Sequence, residues 1–167
     1  GNQEVLGERI RIAGANTDDG VTYTVTTTPS SAEYRARATF LVQQSVSRDR
    51  EGRIGPYLQV RNNHRRITAS MMWSEASQTY GWLVHDGAAS GAALGVIGNV
   101  FWPVNVFVDH TVELRVLGRN RVILFVDDVL VDDIDYDRFT AVIGTRSITI
   151  GRGDDGDIQV VCFMSHG

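Results

Sequence analysis

Between residues 112 and 126, apolar and polar positions exchange one residue at a time. Val112, Leu114 and Val116 fall on one side, with Glu113 and Arg115 on the other. That is the period-two pattern of a half-buried strand. Val122, Leu124 and Val126 repeat it after Gly118-Arg119-Asn120, a three-residue break in which Gly and Asn accept positive φ. Pairing Leu117 with Arg121 sets Val116 against Val122, Leu114 against Leu124 and Val112 against Val126. All three apolar pairs then share one face, so turn and pattern agree on the register. The opposite face is mixed, with Arg115 against Ile123 and Glu113 against Phe125. A second turn at Asp127-Asp128 leads into a third strand, and residues 134–139 read as a loop.

The rest of the chain follows the same period. Residues 33–43 alternate for eleven positions, with Tyr34, Ala36, Ala38, Phe40 and Val42 on one side, and predict a long strand in the middle of a sheet. Residues 8–12, 21–28, 57–61, 147–151 and 157–164 predict shorter strands, several of them rich in β-branched residues. Residues 67–74 and 79–85 predict a hairpin across 75–78, and residues 62–66 (NNHRR) the turn before it. Residues 86–98 carry too much Gly and Ala to form a core strand throughout. They read as a loop, with a short strand near 94–97, that a partner would order. Pro103 places residues 101–108 at an edge or a bend. Residues 1–7 read as a loose lead-in. No stretch longer than a turn has helical periodicity. The expected architecture is one all-β sandwich over residues 1–167, with eleven to thirteen short strands.

Composition narrows the partners. The 167 residues are 43% hydrophobic and 22% charged, an ordinary globular balance. A net charge of −4 argues against nucleic acid as a general partner. All 16 cationic residues counted as Lys or Arg are Arg, a side chain that pairs carboxylates bidentately. No apolar run approaches the roughly 20 residues of a membrane span. Cys162 is the one cysteine. Flanked by apolar residues, it reads as a small buried hydrophobe and not as a nucleophile.

Several short passages resemble the concanavalin A-like lectin/glucanase group, of the laminin-G-like kind. They are Gly55-Pro56-Tyr57-Leu58-Gln59-Val60-Arg61, His110-Thr111-Val112-Glu113-Leu114-Arg115-Val116 with Gly118 and residues 122–127, and Ile148-Thr149-Ile150-Gly151 followed by Asp157-Ile158. The resemblance implies a jelly-roll sandwich of two antiparallel sheets. It is similar to modules of phage tail and decoration proteins, which implies an extracellular or virion setting and either carbohydrate or other virion subunits as partners. A homo-oligomer is one form such an assembly could take. Two departures matter. Where the family has V-D-G, this chain has Val126-Asp127-Asp128, and Asp takes positive φ less readily than Gly, so a different turn is expected. The glucanase strand close to E-x-D-x-x-E is missing, and with it the paired carboxyls about 5 Å apart that retaining glycosidases use. A non-catalytic module is therefore expected, with a glycan-cleaving enzyme as the disfavoured alternative.

The candidate ligand residues are Tyr57, Arg61, Trp73, Trp82, His85 and Trp102. Exposed aromatic rings stack on sugars, and Arg or His can hydrogen-bond hydroxyls; the competing reading is that the tryptophans fill the inter-sheet core. Tyr57, Gln59 and Arg61 share one strand face, and Trp102 follows a Gly-rich loop. Asp127, Asp128, Asp132 and Asp133 are candidate Ca²⁺ ligands, since carboxylates clustered near a turn supply oxygen donors. A solvated turn with Arg121 and Arg138 as partners is the alternative, and no other cofactor is expected. The 62–66 segment could hold an acidic glycan or another subunit, or be a solvated tip. Arg152-Gly153-Asp154 is a receptor-type tripeptide that also fits an ordinary turn. His85-Asp86 and Asp109-His110 place an imidazole beside a carboxylate, but no nucleophile elbow accompanies them.

Overall fold

Alternating segments become extended chain. The computed structural model describes residues 2–6, 9–13, 21–27, 34–42, 56–89, 94–105, 107–117, 121–138, 146–152 and 158–163, with side chains placed for 35–41, 56–89, 94–105, 107–117 and 121–138. Fourteen strands follow in order: β1 (Asn2–Leu6), β2 (Arg9–Ala13), β3 (Val21–Thr27), β4 (Tyr34–Val42), β5 (Pro56–Arg61), β6 (Arg65–Ser74), β7 (Thr79–Ala88), β8 (Gly95–Val96), β9 (Trp102–Val104), β10 (His110–Leu117), β11 (Arg121–Val126), β12 (Val129–Asp135), β13 (Arg146–Arg152) and β14 (Ile158–Phe163). Among the described residues there is no helix, and none long and apolar enough to cross a membrane.

The strands form two antiparallel sheets. The first runs β1-β2-β14-β4-β10-β11-β12; the second runs β3-β13-β5-β6-β7-β8, with β9 pairing β7. The β10–β11 register is the one that the apolar pattern demands, from Val112↔Val126 to Leu117↔Arg121. β4 lies at the centre of its sheet, between β14 and β10. β9 is an edge strand, as Pro103 requires.

The core lies where the inward faces meet. Ala36, Ala38, Phe40, Val112, Leu114, Val116, Val122 and Leu124 come from the first sheet; Leu58, Val60, Ile67, Ala69, Met71, Trp73, Tyr80, Trp82 and Val84 come from the second. Phe40 and Trp82 meet across the interface, 5.2 Å between ring centroids. Each large side chain buried this way contributes about 1.5–3 kcal/mol of transfer free energy.

Several expectations are corrected. Asn2–Leu6, expected as a lead-in, is a strand paired with β2. Arg65 and Arg66 open β6 instead of ending a turn, because the Asn62 carboxamide closes the turn early by accepting from His64 N and Arg65 N, both at 2.8 Å. Asp86–Ala88 belong to β7, and Ile134–Asp135 to β12. The two-residue turn at 127–128 has both residues at positive φ, 52° and 64°, as a type I′ hairpin needs. Two aspartates hold that conformation because their carboxylates are tied down: Asp127 accepts from Thr111 N at 2.9 Å and Asp128 from Arg37 Nη1 at 2.7 Å. The break at 118–120, residues 90–93 of the Gly- and Ala-rich stretch and the Gly153-Asp154 part of the tripeptide lie outside the described residues. So does the side chain of Cys162, although its backbone pairs with Ala38.

Candidate functional site

The register of the second sheet decides which sequence candidates can act together. Tyr57 pairs with Ser70, Gln59 with Thr68 and Arg61 with Arg66; Thr68 then pairs with His85 and Ser70 with Leu83. Because side chains alternate, these residues all lie on the sheet face turned away from the core. Burial agrees. Along β5, Leu58 and Val60 are buried in the core, Tyr57 and Gln59 are half-buried and Arg61 is exposed.

This face has open and buried members. Tyr57, Gln59, Arg61, Arg66 and Leu83 are open to solvent in part or fully. Thr68, Ser70 and His85 lie beside them on β6 and β7, each under 5% exposed. Gln59 Nε2 donates to Thr68 Oγ1 at 2.8 Å, and Ser70 Oγ lies 3.4 Å from His85 Nδ1. Burial pushes the His85 imidazole below its ordinary range and the Tyr57 hydroxyl above its own. At one end, Phe101 packs over Gly81; a Cβ there would come within 2.5 Å of the ring, so that position needs glycine. The described face residues of β5, β6 and β7 include no carboxylate.

Three of the six candidates thus come together on one face: Tyr57, Arg61 and His85. The tryptophans do not join them. Trp82 is 1% exposed and Trp73 5%, both in the core, and Trp73 meets Tyr80 edge-on at 4.9 Å. Neither can offer a ring to a ligand, which corrects the expectation for both. Trp102, partly buried, packs against the same core from β9. Arg66, Thr68 and Ser70 join the face because the turn closes at Asn62 and β6 opens at Arg65, earlier than a 62–66 turn allows. The shorter turn puts Arg66 opposite Arg61.

The four candidate calcium ligands separate. Asp127 faces His110 Nδ1 at 2.8 Å, Asp128 pairs with Arg37, and Asp133 pairs with Arg121 at 2.5 Å. Asp132 is buried and accepts from Asn99 N at 2.8 Å and Val100 N at 3.1 Å. It clasps the segment after β8 to the edge of the first sheet. Among the described residues no three His, Cys, Asp or Glu side chains gather as metal ligands. The two His–carboxylate neighbours separate as well. His85 lies on the outward face, while Asp86 turns inward to Arg65 Nη2 at 2.5 Å and Tyr136 Oη at 3.1 Å. Burial, with Asp86 beside it, pushes the Tyr136 hydroxyl up to about 12.

No family model matches the sequence, and neither does any curated protein. Solved structures do. A carbohydrate-binding module (CBM66) from Bacillus subtilis aligns with a TM-score of 0.55 at 13% identity, over 94% of this chain and 91% of that one. The kappa-carrageenase of Pseudoalteromonas carrageenovora, solved with an oligotetrasaccharide of kappa-carrageenan, aligns at 0.64 and 8% identity over 96% and 80%. A carbohydrate esterase from the Shiga toxin-encoding bacteriophage phi24B aligns at 0.64 and 11% identity over 99% and 87%. At these identities the likeness is one of fold: an all-β jelly-roll-like sandwich of two antiparallel sheets.

Proposed function

We propose that the chain is a non-catalytic carbohydrate-binding module with a concanavalin A-like sandwich, and that the outward face of β5, β6 and β7 takes the sugar. The observation that carries this is the composition of that face. A half-exposed tyrosine, an amide and two guanidinium groups share it with buried hydroxyls and an imidazole. An aromatic ring offers a stacking surface, and the amide and guanidinium groups offer fixed donors to hydroxyls, the mixture expected of a polar-ligand site. The structural neighbours support the reading, since they include a carbohydrate-binding module and enzymes that act on glycans.

Affinity electrophoresis through gels containing single polysaccharides tests it. Retardation by at least one neutral or acidic glycan is expected. Tyr57→Ala should weaken it roughly tenfold, the loss of about 1.4 kcal/mol. Phe125→Ala, an aromatic on the other sheet, should leave it intact. Indifference to Tyr57→Ala contradicts the reading.

A second reading, a subunit of a virion or other extracellular assembly, draws on the phage neighbour and on one surface feature. Phe107, Val108, Val129 and Leu130 are all about half exposed, and Phe107 has a φ of 63°. Light scattering over a concentration series tests this. A stable trimer or larger species favours assembly, and a monomer favours the isolated binding module.

A further inference from the structure

The carbohydrate face changes character from one corner to the other. Register places Val96 of β8 beside His85, and Pro103 of β9 beside Gly81. Both lie on the outward side with Leu83, which stands between Gly81 and His85 along β7. Val96 is 60% exposed, Pro103 is exposed and Leu83 is half-buried. Phe101, also half-buried, fills the space over Gly81, so its ring is laid against this side of the sheet. Single exposed apolar residues need no explanation, but a group of them at one corner does. Arg61 holds the diagonally opposite corner, in register with Arg66 and Gly87. Tyr57 and Gln59 lie between. Tyr57 shares a row with Leu83 through Ser70, and Gln59 shares one with Val96 through Thr68 and His85. With strands about 4.8 Å apart, Leu83 lies about 10 Å across the sheet from Tyr57, within the span of one sugar ring and its substituent.

We infer that this corner takes the methyl group of an O-acetylated glycan whose sugar ring lies on Tyr57 and Gln59. An acetyl ester is uncharged and ends in a methyl group, so it gains from apolar surface and needs no ion pair. The size of the corner selects such an occupant. Four side chains, two of them half-buried, fall well short of the roughly 20–30 residues a side of a stable protein interface. They suffice to surround a methyl group. The adjoining phenol and amide give the hydroxyls and ring of the same sugar their partners. Burial favours the neutral form of the His85 imidazole, so the row that ends at Val96 sets no charge beside the ester. This rests on the carbohydrate reading of the same face and gives its ligand a class.

The test uses two matched pairs of polymers in the same gels: partly O-acetylated xylan with the same polymer stripped of acetyl by mild alkali, and partly O-acetylated glucomannan with its stripped form. At least one acetylated member is expected to bind about fourfold more tightly than its partner, the gain from taking one methyl group out of water. The preference should survive about 1 M salt, where the screening length is only about 3 Å. Val96→Ser, a change at an exposed position, should erase the preference and leave binding of the stripped polymer unchanged. Leu83→Thr should do the same, with thermal melts to establish that each variant is folded. Tyr57→Ala should weaken both members alike. Leu130→Ser, which removes an exposed apolar group from the first sheet, should change neither. Equal retardation within both pairs overturns the acetyl inference and leaves the carbohydrate reading standing. Retardation by none of the four also overturns it, while the wider set of polysaccharides still decides the carbohydrate reading. A concentration-dependent dimer that Val96→Ser abolishes would overturn it in favour of a second copy of this chain.

Discussion

The two sheets turn their backs to solvent in different ways. On the first, charge is closed. Glu113, 3% exposed, accepts from Arg115 Nε at 2.6 Å and lies 3.6 Å from Arg37, while Arg115 caps the Phe125 ring at 4.3 Å. Arg37 is held above its ordinary range by its hydrogen bond to Asp128, and Asp133 is held below its own by Arg121. On the second, hydroxyls, an amide and an imidazole share the face with two opposed arginines, and its described residues bring no carboxylate. Composition does not separate the faces, since both are strands of alternating polar residues with Arg. What separates them is that the first face closes carboxylate–guanidinium pairs, while the second sets neutral hydroxyl, amide and imidazole groups beside its arginines. Ion pairs closed within a face contribute to stability; neutral polar groups and an aromatic ring at a partly exposed surface are what a polar ligand can use.

That contrast makes predictions of decreasing size. Glu113→Ala should lower the unfolding free energy by about 2 kcal/mol, because it strips two guanidinium groups of a buried partner. Urea titration measures that loss, and glycan retardation by the surviving folded protein should not change. Tyr57→Ala should do the reverse, with roughly tenfold weaker glycan binding for a small loss of stability. Arg61→Gln should leave stability within about 0.5 kcal/mol of the parent, since it removes a like-charge contact on the surface. A large loss would mean that the second face is as closed as the first.

The smallest effect is one of pH. Burial lowers the His85 pKa from its ordinary value of 6.5 in the folded chain. Below about pH 6.5 the unfolded chain takes up a proton that the folded chain refuses, so this residue's contribution is full above that pH and is lost as the pH falls through it. His85→Gln should flatten the acid limb of stability against pH. An unchanged limb would mean that this part of the face is wetter than its burial implies.

Much of this was readable in the sequence, for identifiable reasons. The β10–β11 register followed from a strict period of two and a turn of defined length. Tyr57, Gln59 and Arg61 were legible as one face because Leu58 and Val60 mark the other. β6 was harder. Its run Ile67-Thr68-Ala69-Ser70-Met71-Met72-Trp73 is buried on both faces, so alternation could not say which side Trp73 takes. The tryptophans followed Ala69, Met71 and Val84 into the core, where their area is worth most. The aspartates could not be sorted from sequence at all. Asp132 acts through amides 32 and 33 residues away, and no local pattern reports such a contact.

The most direct test of the open second face is an amide chemical-shift titration of the labelled chain with an oligosaccharide of the best-retarded glycan. The predicted result is that shifts gather along β5, β6 and β7, at Tyr57, Gln59, Arg61, Arg66, Thr68 and His85, and leave β10 and β11 still. Shifts gathered at Glu113, Arg115 and Phe125 on the first sheet would contradict it.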